Sequence, residues 1–266
     1  MVIKLDEAKK NLKKIEKKER KEVKASLKEK KRLEREEEKV RPKTPEELKN
    51  EPPVRPVLEE IGNSVTHGVG AILGIVGLIL MLIKSTSPLM ILGSIVYGLS
   101  MIIMMLMSCL YHAWRSGSRV KRLWRRFDYS SIYLLIGGTF APLQLVELGI
   151  IEGHMTLGII WFSIMWALII VGITMTSIFG PGKIKWLNFP LYFILGWSGL
   201  LFLPGWINHN LPLLWWTLIG GLVYTLGMIP FAALRHKTVS HFIWHFFVLA
   251  GAIVQFIGIY LCVYCM

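Results

Sequence analysis

Residues 88–114 read PLMILGSIVYGLSMIIMMLMSCLYHAW, a run without a single Asp, Glu, Lys or Arg. At the helical rise of about 1.5 Å per residue such a run crosses a hydrocarbon layer about 30 Å thick, whereas a soluble helix needs only one apolar face. The same character recurs on either side. Apolar windows predict further helices near Ser64 to Ile83, Asp128 to Val146, Met155 to Ile178, Trp186 to Leu203, Leu211 to Leu234 and Ser240 to Tyr264. The chain of 266 residues is 53% hydrophobic with a mean hydropathy of +0.49, more apolar than a soluble core requires. Glycine and proline inside the spans, such as Gly137, Gly138, Pro142 and Pro230, suit close packing in lipid. No internal repeat is evident, which argues against an inverted-repeat transporter. The expected fold is all-α and polytopic, with seven transmembrane helices.

Charge is segregated along the chain. After Glu60 the only acidic residues are Asp128, Glu147 and Glu152. Arg115, Arg119, Lys121, Arg122, Arg125 and Arg126 follow the second span, Lys183 and Lys185 the fourth, and Arg235 and Lys237 the sixth. The alternate turns hold Lys84, then Glu147, Glu152 and His154, then His209. Lys and Arg near helix ends are retained inside, so the N-terminus is expected to be cytoplasmic and the C-terminus external. This placement explains the net charge of +13 by membrane orientation and leaves no role for nucleic acid.

Residues 1–57 form a charged tail in which Leu5, Leu12, Ile15, Val23, Leu27 and Leu33 make only a thin apolar stripe. It is expected to be solvated and partly helical, with anionic lipid headgroups as its candidate partner and Pro42, Pro45, Pro52, Pro53 and Pro56 stiffening the approach to the membrane. Residues 58–266 form the membrane domain. The first dozens of residues hold no apolar stretch of the secretory type, so the first membrane helix is expected to act as its own insertion signal.

Ionisable residues in membrane helices are costly and mark sites. Glu60, Asn63 and His67 open the first span and Ser108 and His112 close the second; Asp128 opens the third, and His241 and His245 open the seventh. All eight therefore fall at one depth near the cytoplasmic leaflet. His241 and His245 are four residues apart on a helix, so they project from one face. With His112 at the same depth, three imidazoles with an open fourth position form the pattern of a hydrolytic zinc site, and Zn2+ is the metal that suits this donor set. The competing reading is of histidines hydrogen-bonded to backbone or headgroups at the interface. Asn63 and Ser64 suit a helix cap as well as a site. Cys262 and Cys265 form a CxxC without neighbouring histidine, Cys109 reads as a buried inert thiol, and His154, His209 and His236 read as solvated loop residues. Trp114, Trp124, Trp186, Trp197, Trp206, Trp215 and Trp216 read as interfacial anchors.

Three motifs carry a resemblance. They are EEIGNSVTHG at residues 59–68, Ser108-Cys109-Leu110-Tyr111-His112 followed by Asp128-Tyr129-Ser130, and His241-Phe242-Ile243-Trp244-His245. From about Glu59 onward the chain resembles the hemolysin III family, the bacterial branch of the progestin and adiponectin receptor-like membrane proteins. The resemblance implies seven helices with a cytoplasmic N-terminus and a zinc held by His112, His241 and His245. It implies a water on the metal near Asp128, with Ser108 behind it; Glu60, Asn63 and His67 match motif positions without a stated role. An open-position zinc at headgroup depth suits a zinc-dependent hydrolase acting on a lipid amide or ester in a multi-pass protein of the plasma membrane, and the resemblance points the same way, toward a ceramidase-like enzyme. Asp128 would then be the base, and Ser108 would hydrogen-bond the water or the oxyanion. A homeostasis or receptor-like sensor with structural zinc, and a pore-forming cytolysin, are the alternatives from other classes.

Overall fold

The computed structural model describes residues 2–40, 42–232 and 239–265. Leu234, Arg235, His236, Lys237 and Met266, on which parts of the sixth span, its following loop and the C-terminus were expected to fall, lie outside the described residues. All described secondary structure is helical, and seven helices are long and apolar enough to span a bilayer. This is a multi-pass membrane architecture.

The chain divides into two compact units, Met1–Leu48 and Lys49–Met266. In the first, α1 (Val2–Val40) intersperses Lys and Glu, and of the thin apolar stripe Val23, Leu27 and Leu33 are more than half exposed. The short α2 (Pro45–Lys49) is held by a capping box: Thr44 N–H donates to Glu47 Oε2 at 2.8 Å and Glu47 N–H to Thr44 Oγ1 at 3.2 Å.

The second unit contains the bundle. Its helices are α3 (Val57–Lys84), α4 (Pro88–Ala113), α5 (Arg119–Pro142) with a π-helical extension Leu143–Ile151, and α6 (Met155–Phe179). Then come α7 (Lys185–Trp197), a 3-10 turn Ser198–Phe202, α8 (Leu203–His209), α9 (Leu211–Ala232) and α10 (Ser240–Ile259) with a π-helical end Tyr260–Tyr264. Along the chain, α3 packs on α4 and α4 on α5, while α10 packs on both α9 and α3. Close approach at the α4–α5 contact requires glycine: a Cβ on Gly138 would land on the Ser100 side chain, with Val96 O a further 3.2 Å neighbour. Ala71, Met104, Met105, Leu135, Val248 and Ala252 fill the core between α3, α4, α5 and α10. The outward faces carry exposed Ile72, Ile79, Ile83, Ile170, Ile194 and Leu201, an apolar coat that only lipid covers comfortably.

Three boundaries differ from the sequence expectation. First, α3 begins at Val57 rather than near Ser64, which places Asn63 and Ser64 inside the helix and rules out capping; Ser64 Oγ donates instead to Cys109 O on α4 at 3.0 Å. Acidic Glu59 and Glu60 suit the positive end of that helix. Second, α5 begins at Arg119, so much of the basic loop is helical and Asp128 lies in the third turn; Ser118 Oγ caps it by accepting from Lys121 N–H at 3.0 Å. Cations at a helix N-terminus oppose its dipole. Here they are held by partners, for Arg125 donates to Glu51 O at 2.9 Å and Arg122 pairs with Glu51 at 3.4 Å. Third, α5 runs on as a π-helix past Val146, so Glu147 is fully buried rather than exposed in a turn and accepts from Asn210 Nδ2 at 2.9 Å. Trp206, expected at the interface, is 2% exposed in the core, whereas Trp186 and Trp215 are outward. His209 ends α8 instead of lying in a loop, and His154 does precede α6 in a turn.

Candidate metal centre

His241 and His245 project from the first turns of α10, and His112 from the last turn of α4. Their placement depends on how α10 starts. Val239 enters the helix at φ 65°, a region β-branched residues rarely adopt, and its N–H lies 3.4 Å from Glu59 Oε2 on α3. The three side chains then meet: His241 Nε2 is 3.3 Å from His112 Nε2 and 3.2 Å from His245 Nε2. One ligand atom from each histidine lies within 4.8 Å of the others, so the set is able to hold a metal ion.

The donor chemistry tests that fit. An imidazole nitrogen has one in-plane lone pair or one hydrogen, so His241 Nε2 satisfies only one of its two close neighbours by a linear hydrogen bond. A shared cation satisfies all of them. Tetrahedral coordination at about 2.0–2.1 Å puts neighbouring nitrogens about 3.3 Å apart, which matches the two separations. His112 Nδ1 faces Glu60 Oε2 at 2.6 Å, so that nitrogen carries the proton and Nε2 presents its lone pair to the cluster. The donor set and its tautomer therefore fit zinc.

Glu60 does more than sequence reading assigned to it. Its other oxygen lies 2.9 Å from Nζ of Lys121, which is fully buried, donates to Trp114 O at 2.9 Å and rests over the Tyr111 ring at 5.1 Å. A buried chain of Lys121, Glu60 and His112 thus fixes one of the three clustered imidazoles from behind. From sequence, Lys121 counts only as an orientation charge. Asn63, fully buried, brings its amide to 3.4 Å from the same His112 nitrogen. Glu60→Gln or Lys121→Met is expected to weaken zinc affinity roughly 10–100-fold, as loss of a carboxylate behind a ligating histidine does elsewhere. Competition with a chromophoric chelator measures this, and unchanged affinity in both variants would remove the chain from the account.

Asp128 on α5 and Ser108 on α4 lie within interaction range of each other. Both line an apolar cavity that His67, His241 and His245 also border. Lining residues run from Asp128 on α5 to Leu143 at the start of its π-helical extension and on α10 from His241 to Gln255, so the cavity extends about 20 Å along the bundle. Its empty space is about 1290 Å3, counting the part that opens outward. Phe140, Tyr192, Phe193, Trp197 and Val248 make its walls mostly hydrophobic. His67 is buried, with its ring 4.0 Å from that of His245. Every expected site residue is thus brought to one end of the bundle. Cys262 and Cys265 are free thiols, and Cys109, partly buried, lies 3.4 Å from Ser64 Oγ.

Fold and site together define a class: a seven-helix, multi-pass membrane protein with a three-histidine cluster at one end of its bundle. The chain belongs to the haemolysin-III related family, which matches residues 56–256. It is 37% identical to "Hemolysin-3" of Bacillus cereus over 207 residues, covering 75% of this chain and 90% of that protein. It is 31% identical to "Hemolysin-3 homolog" of Bacillus subtilis (strain 168) over 204 residues, 75% and 92% of the two chains. It is also 28% identical to "Monocyte to macrophage differentiation factor" of Homo sapiens over 207 residues, 76% and 83%.

Proposed function

We infer that this protein is a zinc-dependent hydrolase of a lipid amide or ester bond, built around His112, His241 and His245. The observation that carries the reading is the junction of the histidine cluster, the Ser108–Asp128 pair and a long apolar cavity. Zinc in such a set polarises a carbonyl oxygen and acidifies a water molecule. The chain's own groups supply the remainder. The cavity walls take the acyl chain out of the bilayer and fix its carbonyl carbon at the cluster. Asp128 accepts the proton of the attacking water as the new C–O bond forms. Ser108 donates to the developing oxyanion. Breakage of the C–N or C–O bond then sends the proton from Asp128 to the leaving amine or alcohol, and a fatty acid remains in the cavity.

The reading includes zinc as the metal, the plasma membrane as the location, and an orientation that puts the histidine end and the tail on the cytoplasmic side. Anionic lipid headgroups are the proposed partners of α1. The name of the Bacillus cereus relative speaks of haemolysis. A pore would need a polar stripe along the bundle. Among the described residues, the buried charged groups of this chain instead gather at the histidine end and at Glu147, with only neutral side chains such as Ser100, Thr139 and Gln255 buried between them.

Purified protein given N-acyl and O-acyl lipids in mixed micelles is expected to release fatty acid, to stop on chelation and to resume on adding zinc. No release from either lipid class by protein that holds one zinc per chain would sink the hydrolase reading.

A further inference from the structure

Glu60, Asn63 and His67 are spaced i, i+3 and i+7 on α3 and so share one face. The first two face His112. The third lies one turn deeper into the bundle, about 6 Å along the helix from Asn63. There its ring sits 4.0 Å from His245 and borders the cavity. His67 is 2% exposed, and neither ring nitrogen has a hydrogen-bond partner among the described residues; one faces the backbone of His245 without reaching hydrogen-bonding geometry. A buried polar group of this kind is costly beside a purely hydrocarbon ligand, because the ligand excludes water and returns nothing.

We propose that His67 is a specificity-determining residue that hydrogen-bonds a hydroxyl on the acyl chain, close to its carbonyl carbon. The ligand class is therefore a 2- or 3-hydroxyacyl lipid and its hydroxy fatty acid product. The proposal rests on the hydrolase reading in placing the acyl carbonyl at the three histidines. From there, a hydroxyl on the second or third carbon falls a few ångströms down the cavity, where His67 lies. A hydroxyl both donates and accepts, so it suits either neutral tautomer of the ring. A plain acyl chain fits the same walls but strands the imidazole.

The test is binding of palmitate and of 3-hydroxypalmitate to the zinc-loaded full-length protein in detergent, without turnover. The wild type is expected to bind the hydroxy acid about tenfold more tightly, the effect of one well-made hydrogen bond. His67→Phe keeps a ring against His245, so it should retain zinc and thermal stability while binding both acids alike, with the loss falling on the hydroxy acid. His67→Asn, which restores a donor and an acceptor, should recover part of the preference and provides a second variant if the phenylalanine disturbs folding. Equal affinities in the wild type, or a preference that survives His67→Phe, would overturn the proposal. Failure of the hydrolase reading looks different. A hydroxyl preference without hydrolysis of any hydroxyacyl lipid leaves His67 in place and removes catalysis, whereas hydrolysis without a preference does the reverse.

Discussion

Alanine at His112, His241 or His245 is expected to release zinc and to lower the melting temperature in detergent more than any other single change in the bundle. Each substitution removes one of three converging nitrogens, of which two pairs lie 3.2 and 3.3 Å apart. A metal that binds only the folded state contributes RT ln(1 + [L]/Kd), about 4 kcal/mol when free metal is a thousand times Kd. Losing that stabilisation is large against a total stability of about 5–15 kcal/mol. Metal content and thermal unfolding, measured on the same preparations with and without added zinc, check it. In the wild type the melting temperature should rise with zinc, and in the alanine variants it should not. A melting temperature indifferent to zinc in the wild type would return the histidines to ordinary interfacial hydrogen bonding.

Asp128→Asn separates chemistry from structure. The asparagine has nearly the same shape and keeps a hydrogen-bonding oxygen, but it accepts a proton poorly. Zinc content and melting temperature should stay near wild type while hydrolysis falls by roughly 10²-fold or more. Should the asparagine variant lose zinc as fully as the alanine variants do, Asp128 is a fourth ligand and the site is closed. The sensor reading with structural zinc then describes the protein better.

The comparison of sequence with structure follows the range of the interactions. The seven spans were legible because hydropathy is a local signal, and so was the His241–His245 pair, because four residues on a helix fix a shared face. The arrival of His112 at the same depth followed from counting spans. What sequence missed lies in contacts between distant helices. Glu60 and His112 are 52 positions apart, and nothing local says that a carboxylate on α3 will hold an imidazole on α4. Lys121 was hidden by its neighbours, since in a run of basic residues each one reads as an orientation charge. Its burial against Glu60 emerges only when α5 is seen to begin at Arg119. The same charges shortened the expected third span, because a hydropathy window ends where Arg and Lys begin, although the helix does not. Glu147 was misplaced for the converse reason: an acid near the end of an apolar run marks a turn unless a partner such as Asn210 comes from another helix. In resemblance alone, His67 was a motif position; its orphaned nitrogens and its place at the cavity needed coordinates.

If the three imidazoles from α4 and α10 form a zinc site, elemental analysis of the purified, detergent-solubilised full chain should find one zinc per chain, removed by a strong chelator and restored at the same stoichiometry, and close to none in His112→Ala. Wild-type protein that carries no zinc and takes up none from a zinc-containing buffer would contradict it.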